Sequence, residues 1–285
     1  RSSDLFEGSL VVMDISDPAN PATLGSTPLP HPANDVVVSD DLAFVACTHA
    51  GLQIVGISDP INPSIIGASP ETNFADGVAM SGELVFVTGS NGLHVIDVSE
   101  PADPVILGSV QTLNFGRGSA VKGDLVFVPS HEPGNYKLLV IDVSDPSNPL
   151  IIGSADTLIP AYDVIITGEL AFVASGTSGL EVINIADPAN PIHVGLLDTP
   201  FSAQDLTINS ELAYVADGLS GLQIVDISSC QCPADLDGSG AVGVADLLMI
   251  LSQWSTCDRC SADINSDGAV GVADLLELLS AWGSC

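Results

Sequence analysis

Short runs of Val, Ile, Leu and Phe, separated by clusters of Gly, Pro, Asn and Asp, fill residues 1–229. One stretch reads Asp35-Val36-Val37-Val38, Leu42-Ala43-Phe44-Val45-Ala46, Gly51-Leu52-Gln53-Ile54-Val55-Gly56-Ile57 and Ser64-Ile65-Ile66-Gly67. No ten-residue window there places apolar residues at helical spacing, so the pattern predicts strands joined by tight turns. The runs are apolar on both faces, which suits sheets covered from both sides.

The pattern repeats. Val/Ile-Asp-Ile/Val-Ser-Asp-Pro-x-Asn-Pro, or a close variant, brings Asp17, Asp59, Glu100, Asp145 and Asp187 to one position, at offsets of 42, 41, 45 and 42 residues. Four strands per period of this length predict a mainly β chain, a β-propeller of four-stranded blades. The Asp-Pro-x-Asn-Pro segment reads as a turn beyond the third strand, where proline fixes φ and removes a ladder donor. The third strand occurs six times and the paired first and second strands five times, so the count is about five to six blades. A spare third strand has no place in a closed five-blade ring, and the chain opens Arg1-Ser2-Ser3 without an initiator Met. Either the termini combine to complete one blade or the true N-terminus is missing; truncation is preferred, and an original signal peptide would not be in view. Leu93-His94-Val95-Ile96-Asp97-Val98-Ser99, Leu138-Leu139-Val140-Ile141-Asp142-Val143-Ser144 and Leu222-Gln223-Ile224-Val225-Asp226-Ile227 resemble LVIVD repeats, over roughly residues 9 to 228. That resemblance implies a bacterial surface or secreted propeller and says little about chemistry.

The pattern changes after residue 229. Leu247-Leu248-Met249-Ile250-Leu251-Ser252-Gln253-Trp254 and Leu275-Leu276-Glu277-Leu278-Leu279-Ser280-Ala281-Trp282 have helical spacing. Leu247, Ile250, Leu251 and Trp254 are expected on one face, as are Leu275, Leu278, Leu279 and Trp282. A twelve-residue acidic loop leads into each helix, the second offset by 28 from the first. Oxygen-bearing residues at loop positions 1, 3, 5 and 12, with Gly240 and Gly268 at position 6, match an EF-hand calcium loop. The predicted ligands are Asp235, Asp237, Ser239, the Ala241 carbonyl and Asp246 for one Ca2+, and Asp263, Asn265, Asp267, the Ala269 carbonyl and Asp274 for the other. Gly243 and Gly271 at position 9 leave that coordination point to water. Each set of three carboxylates repels itself without a cation, so ion binding is expected to be linked to folding.

Duplicated loop-plus-helix units without an entering helix look like a type I dockerin, over residues 232 to 285. The resemblance implies domains at 1–229 (propeller) and 230–285 (small α-helical calcium-binding dockerin-like module). It also implies a cohesin-like partner or cell-surface anchor, contacted through Val244, Ala245, Leu248, Val272, Ala273 and Leu276. The cysteines repeat with the module: Cys232 is 28 residues before Cys260, and Cys257 is 28 before Cys285. Bonding Cys232 to Cys257 would span a loop and a helix ~15 Å long, against a Cα limit of ~7 Å. A two-fold arrangement favours Cys232–Cys285 and Cys257–Cys260, with Cys230 left over. Zinc held by Cys230, Cys232, Cys257 and Cys260 is the alternative.

Charge and composition narrow the setting. A net charge of −31 repels nucleic acid and anionic lipid, and 46% hydrophobic residues exclude an acidic disordered chain. No apolar stretch reaches the ~18 residues a membrane span requires. Five of the six cysteines crowd into the last 56 residues, which points to an oxidising, extracellular or cell-surface location.

Candidate chemistry in the repeats is sparse. His31, His49, His94, His131 and His193 show no metal-motif spacing and read as surface or packing residues. Asp35, Asp163 and Asp205 share one position at the start of the innermost strand, Asp76 lies one residue off, and Arg117 falls near it in the remaining unit. A cation-binding ring is one reading; Asx-type bonds that cap each strand are preferred. Ser130–Lys137 lengthens one loop by about four residues, and a tolerated surface insertion is preferred over a ligand site. The function expected is a non-catalytic interaction protein tethered through the calcium-dependent module. The alternatives are a polysaccharide-degrading propeller enzyme carried by a dockerin, and an acid-rich protein kept soluble in saline surroundings.

Overall fold

In this computed structural model, residues 8–72, 74–112, 115–116, 118–209, 211–227, 236, 241–256, 262–265, 269–281 and 283–284 are described. The apolar runs become antiparallel meanders. A hairpin of β1 (Gly8–Asp14) and β2 (Ala22–Leu29) comes first. The next sheet holds β3 (Asp35–Ser39), β4 (Leu42–Cys47), β5 (Gly51–Gly56) and β6 (Ser64–Ser69) in sequence order. It is followed by β7 (Ala75–Ser81), β8 (Leu84–Gly89), β9 (Gly92–Asp97) and β10 (Val105–Val110). The third sheet has its inner strand in two pieces, β11 (Phe115–Gly116) and β12 (Ala120–Lys122), both paired with β13 (Leu125–Glu132). Its outer strands are β14 (Asn135–Asp142) and β15 (Leu150–Asp156). The fourth holds β16 (Asp163–Thr167), β17 (Leu170–Ala174), β18 (Leu180–Asn184) and β19 (Ile192–Leu197). The last repeat gives β20 (Asp205–Asn209), β21 (Leu212–Ala216) and β22 (Leu222–Asp226), a three-stranded sheet. The range of five to six blades thus narrows to five, and the spare third strand is β1, paired only with β2 among the described strands.

In the four complete sheets, second and third strands are mostly buried because each sheet is covered on both faces, whereas β21 and β22 are partly exposed. Phe44 and Ile54 pack with Val78 and Val85 of the next sheet. Phe86 and Val95 pack with Val126 and Val128, and Phe127 and Val140 with Val164 and Val173. Phe44, Phe86, Phe127 and Phe172 hold one position in four successive second strands, all fully buried. Each contributes roughly 1.5–3 kcal/mol through burial.

The Asp-Pro-x-Asn-Pro turn closes on itself. The Asn20 side-chain amide donates to Asp17 Oδ2 at 2.8 Å, and the same bond recurs at Asn62–Asp59 and Asn190–Asp187. Those amides, with neighbouring backbone N–H groups, hold the three exposed carboxyls below their ordinary pKa. Four of these turns also sit against the preceding outer strand, at a glycine beside a β-bulge. Gly25 faces Pro60 and Ile61, Gly67 faces Pro101, Gly108 faces Pro146, and Gly153 faces Pro188. A Cβ at any of the four would collide with a backbone carbonyl of the turn.

The C-terminal strands and helices are short. β23 (Ala241–Val242) leads into α1 (Val244–Ser252), then β24 (Ser255–Thr256). β25 (Ala269–Val270) leads into α2 (Val272–Ser280), then β26 (Gly283–Ser284). β23 pairs with β26 and β24 with β25, so each loop strand joins the chain that follows the other helix. Val242, Ile250, Ala262, Val270 and Leu278 form the core between them. Contacts divide the chain into residues 1–206 with 216–221, and residues 207–215 with 222–285; the sixth repeat contributes to both. Among the described residues, no helix is long and apolar enough to cross a membrane.

Candidate functional site

The inner strands converge at their first residues. Asp35 opens β3, Asp163 opens β16 and Asp205 opens β20. Together with Asp76 they line a cavity of about 220 Å3, completed by Asn34, Tyr162, Gln204 and Gly118. Asp76 is off register because it is the extra residue of a bulge: Ala75 pairs with Gly89 and Gly77 with Thr88. Arg117 lies outside the described residues.

Asp35 and Asp163 accept from backbone, and Asp76 from a side-chain amide. Asp35 Oδ1 accepts from its own Val36 N–H at 2.7 Å, the expected Asx-type cap, and Oδ2 accepts from Val78 N–H of the next blade at 2.8 Å. Asp163 Oδ2 accepts from Leu206 N–H, again one blade on, at 3.2 Å. Asn34 Nδ2 donates to Asp76 Oδ1 at 2.8 Å. The caps therefore also tie neighbouring blades, which a strand-by-strand reading does not anticipate. Desolvation, opposed by the Val78 and Val36 bonds, leaves the Asp35 carboxyl above its ordinary pKa. Desolvation pushes Asp163 further, to about 7, with the charge and hydrogen bond of Asp205 adding to it.

The histidines go elsewhere. His31, His49 and Phe74 form an edge-to-face cluster, with ring centroids 5.5 Å and 4.4 Å apart. His193 Nε2 lies 3.0 Å from the buried Glu181 carboxylate, and burial lowers the His94 pKa. The lengthened segment is no loose insertion: it extends the β13–β14 ladder to Glu132–Asn135, with His131 opposite Tyr136 and Lys137 ion-paired to Asp156. Cys47 is buried with a free thiol, which burial pushes up to about 11.

In the C-terminal pair, both helices begin at loop position 10, three residues before the predicted start. The position-12 carboxylates Asp246 and Asp274 are 1% and 0% exposed. Each accepts at 2.7 Å from the N–H of its helix N-cap, Gly243 or Gly271, and Asn265 N–H donates to Asp274 at 3.2 Å. The position-9 glycines are thus caps, placed in extended backbone by the helix start. Asp263, Asn265 and the backbone of Ala241 and Ala269 are described; Asp235, Asp237, Ser239 and Asp267 lie outside the described residues, as do Cys230, Cys232, Cys257, Cys260 and Cys285. Among the described residues, no three His, Cys, Asp or Glu side chains are placed to hold a metal. The donors that are described carry oxygen only, which suits a hard cation such as calcium.

The expected helix faces need correction. Ile250 and Leu278 are fully buried, but Leu251, Trp254 and Leu279, expected beside them, are exposed. Two nine-residue helices bury only one narrow seam, so the second apolar seam stays outside. That outer seam holds Val244, Leu248 and Leu251 on α1 and Val272, Leu276 and Leu279 on α2, 49–63% exposed. Ala245 and Ala273 are exposed beside it. All six residues singled out for partner contact lie on this surface.

Blades stacked face to face around a carboxylate-lined axis make the repeat region a β-propeller. Solved structures agree on fold. A functionally unknown protein from Desulfotomaculum acetoxidans DSM 771 superposes with a TM-score of 0.64 at 15% identity, over 77% of this chain and 76% of that one. A putative 6-phosphogluconolactonase from Bacteroides uniformis ATCC 8492 gives 0.62 at 12%, over 76% and 73%. The computationally designed Ika8 protein gives 0.57 at 9%, over 72% of this chain; the match spans 62% of the Ika8 chain, less than two thirds. The family model "LVIVD repeat" matches residues 5–27, 32–69, 74–112, 119–157, 160–199 and 202–233. The chain belongs to the LVIVD-repeat family. No curated protein matches it.

Proposed function

We propose that this is a non-catalytic interaction protein of the cell exterior, whose propeller is a rigid scaffold and whose C-terminal pair of loop–helix units docks, with two calcium ions bound, to a cohesin-type partner or surface anchor. The observation that carries the reading is the duplicated seam of exposed aliphatic residues on α1 and α2, related by the crossed strand pairing. A monomeric surface rarely leaves such a seam without use. Support for calcium comes from the twin buried position-12 carboxylates at helix N-termini and the acidic loop sequences. Asp246 and Asp274, with the loop-opening Asp235 and Asp263, would hold the ions. Bound calcium would offset the repulsion within each loop and fix the helix starts. Disulfides Cys232–Cys285 and Cys257–Cys260 fit the same two-fold arrangement.

The test is capture of the full chain on an immobilised panel of cohesin domains, in calcium and in chelator. Capture in calcium that is lost in chelator and in Leu248→Asp/Leu276→Asp is expected; capture indifferent to both would overturn the docking reading. A glycoside hydrolase needs two carboxyl groups ~5–10 Å apart. Asp35, Asp76, Asp163 and Asp205 line one cavity, so glycan turnover by the full chain would promote that alternative.

A further inference from the structure

We propose that the β1–β2 hairpin is an acceptor: together with the bare face of β3 beside it, it binds one β-hairpin of the same repeat type presented by another polypeptide, which completes a further blade. β1 and β2 already have the build of an outer half-blade. Their register breaks between Val12 and Met13, as it does between Ile54 and Val55 in β5, Val140 and Ile141 in β14, and Val182 and Ile183 in β18. The half-blade is seated on the sheet that follows, with Leu10 and Leu29 packed on Ala43, Val45 and Val55. In the four complete sheets, the third strand bonds a second strand on its inner edge. β1 pairs only with β2 among the described strands. Its other edge therefore offers a row of backbone N–H and C=O groups, a template for one more strand.

The face beside that edge defines what fits. Val36 and Val38 of β3 are 47% and 58% exposed. Val78, Val164 and Leu206 hold the position of Val36 in later blades and are 5%, 2% and 4% exposed. Val78 packs with Phe44, and Val164 with Phe127, each ring coming from the second strand of the preceding blade. The missing cover is thus a hairpin whose second strand sets an aromatic ring among aliphatic residues, as Leu42-Ala43-Phe44-Val45 and Leu170-Ala171-Phe172-Val173 do. Such a strand would bond the edge of β1 while its ring buried Val36 and Val38. A helix or a small ligand would leave the edge unbonded. This inference is independent of calcium and of the exposed seam on α1 and α2.

The test uses the full chain and a labelled synthetic peptide of residues 161–175, which carries the β16–β17 hairpin, in about 0.15 M salt. Saturable binding is expected by fluorescence anisotropy. Hydrogen exchange at the β1 amides not bonded to β2 should slow at least about tenfold in the bound chain, and the Val36 and Val38 methyl signals should shift in NMR. Phe172→Ala in the peptide should weaken binding about tenfold or more, and Val36→Asp/Val38→Asp in the chain should abolish it. No saturable binding, equal binding of a scrambled peptide, or binding that leaves β1 exchange unchanged would overturn the acceptor. Open-edge amides of β1 already protected without peptide would also overturn it: protection that rises with chain concentration would place a second copy on this edge, and constant protection would place the chain's own residues there. If Val36→Asp/Val38→Asp fails to fold, the Phe172→Ala peptide decides, and its unweakened binding would refute the proposal.

Discussion

The repeats of the propeller and the repeats of the C-terminal module use the same two kinds of residue to opposite ends. In the propeller, recurring carboxylates are consumed by neighbouring chain: Asp17, Asp59 and Asp187 close turns on Asn amides and backbone N–H groups, and Asp35 and Asp163 tie two blades to the ones that follow. Recurring large aliphatic and aromatic residues vanish between sheets. In the module, acidic residues crowd into two loops, and the recurring Val244/Val272 and Leu248/Leu276 point outward. Repetition in the first region builds internal interfaces. In the second it leaves a duplicated seam of exposed aliphatic residues.

Substitutions can break or sharpen that contrast. The largest effect is expected at Phe127, buried between two sheets: Phe127→Ala should cost about 3–5 kcal/mol in denaturant unfolding of the propeller. A loss below about 1 kcal/mol would mean the blades do not interlock as described. Next is Gly67, against which the Pro101 turn rests. Gly67→Ala should cost about 1–3 kcal/mol by the same assay, whereas Gly82→Ala, with open space but a positive φ of 59°, should report backbone strain alone. The smallest effect is expected outside: Leu248→Ala/Leu276→Ala should change stability by less than about 1 kcal/mol. A large loss there would place these side chains in a core rather than on a docking face.

Much of this architecture is legible in the sequence, and the reasons differ by element. Strands, turns and the period are legible because turn chemistry is local and a doubly covered strand has no polar face. The cross-blade ties are harder to see. Asp35–Val78 and Asp163–Leu206 are each 43 residues apart, about one period, so the repeat length itself was the available signal. The glycine of each outer strand recurs as regularly as the turn it receives, but which turn covers it depends on blade order. In the module, nearly every α1 position from Leu247 to Leu251 is apolar. Periodicity alone therefore does not choose the buried seam; the position of Asp246 does, because a first-turn carboxylate must fold back inward to reach the N–H of the N-cap Gly243.

Calcium titration of the full chain by isothermal calorimetry tests the central claim most directly. Uptake of two ions per chain is expected, lost in Asp246→Ala/Asp274→Ala. No heat of binding from the wild-type chain, or uptake unchanged in that double variant, would contradict the account.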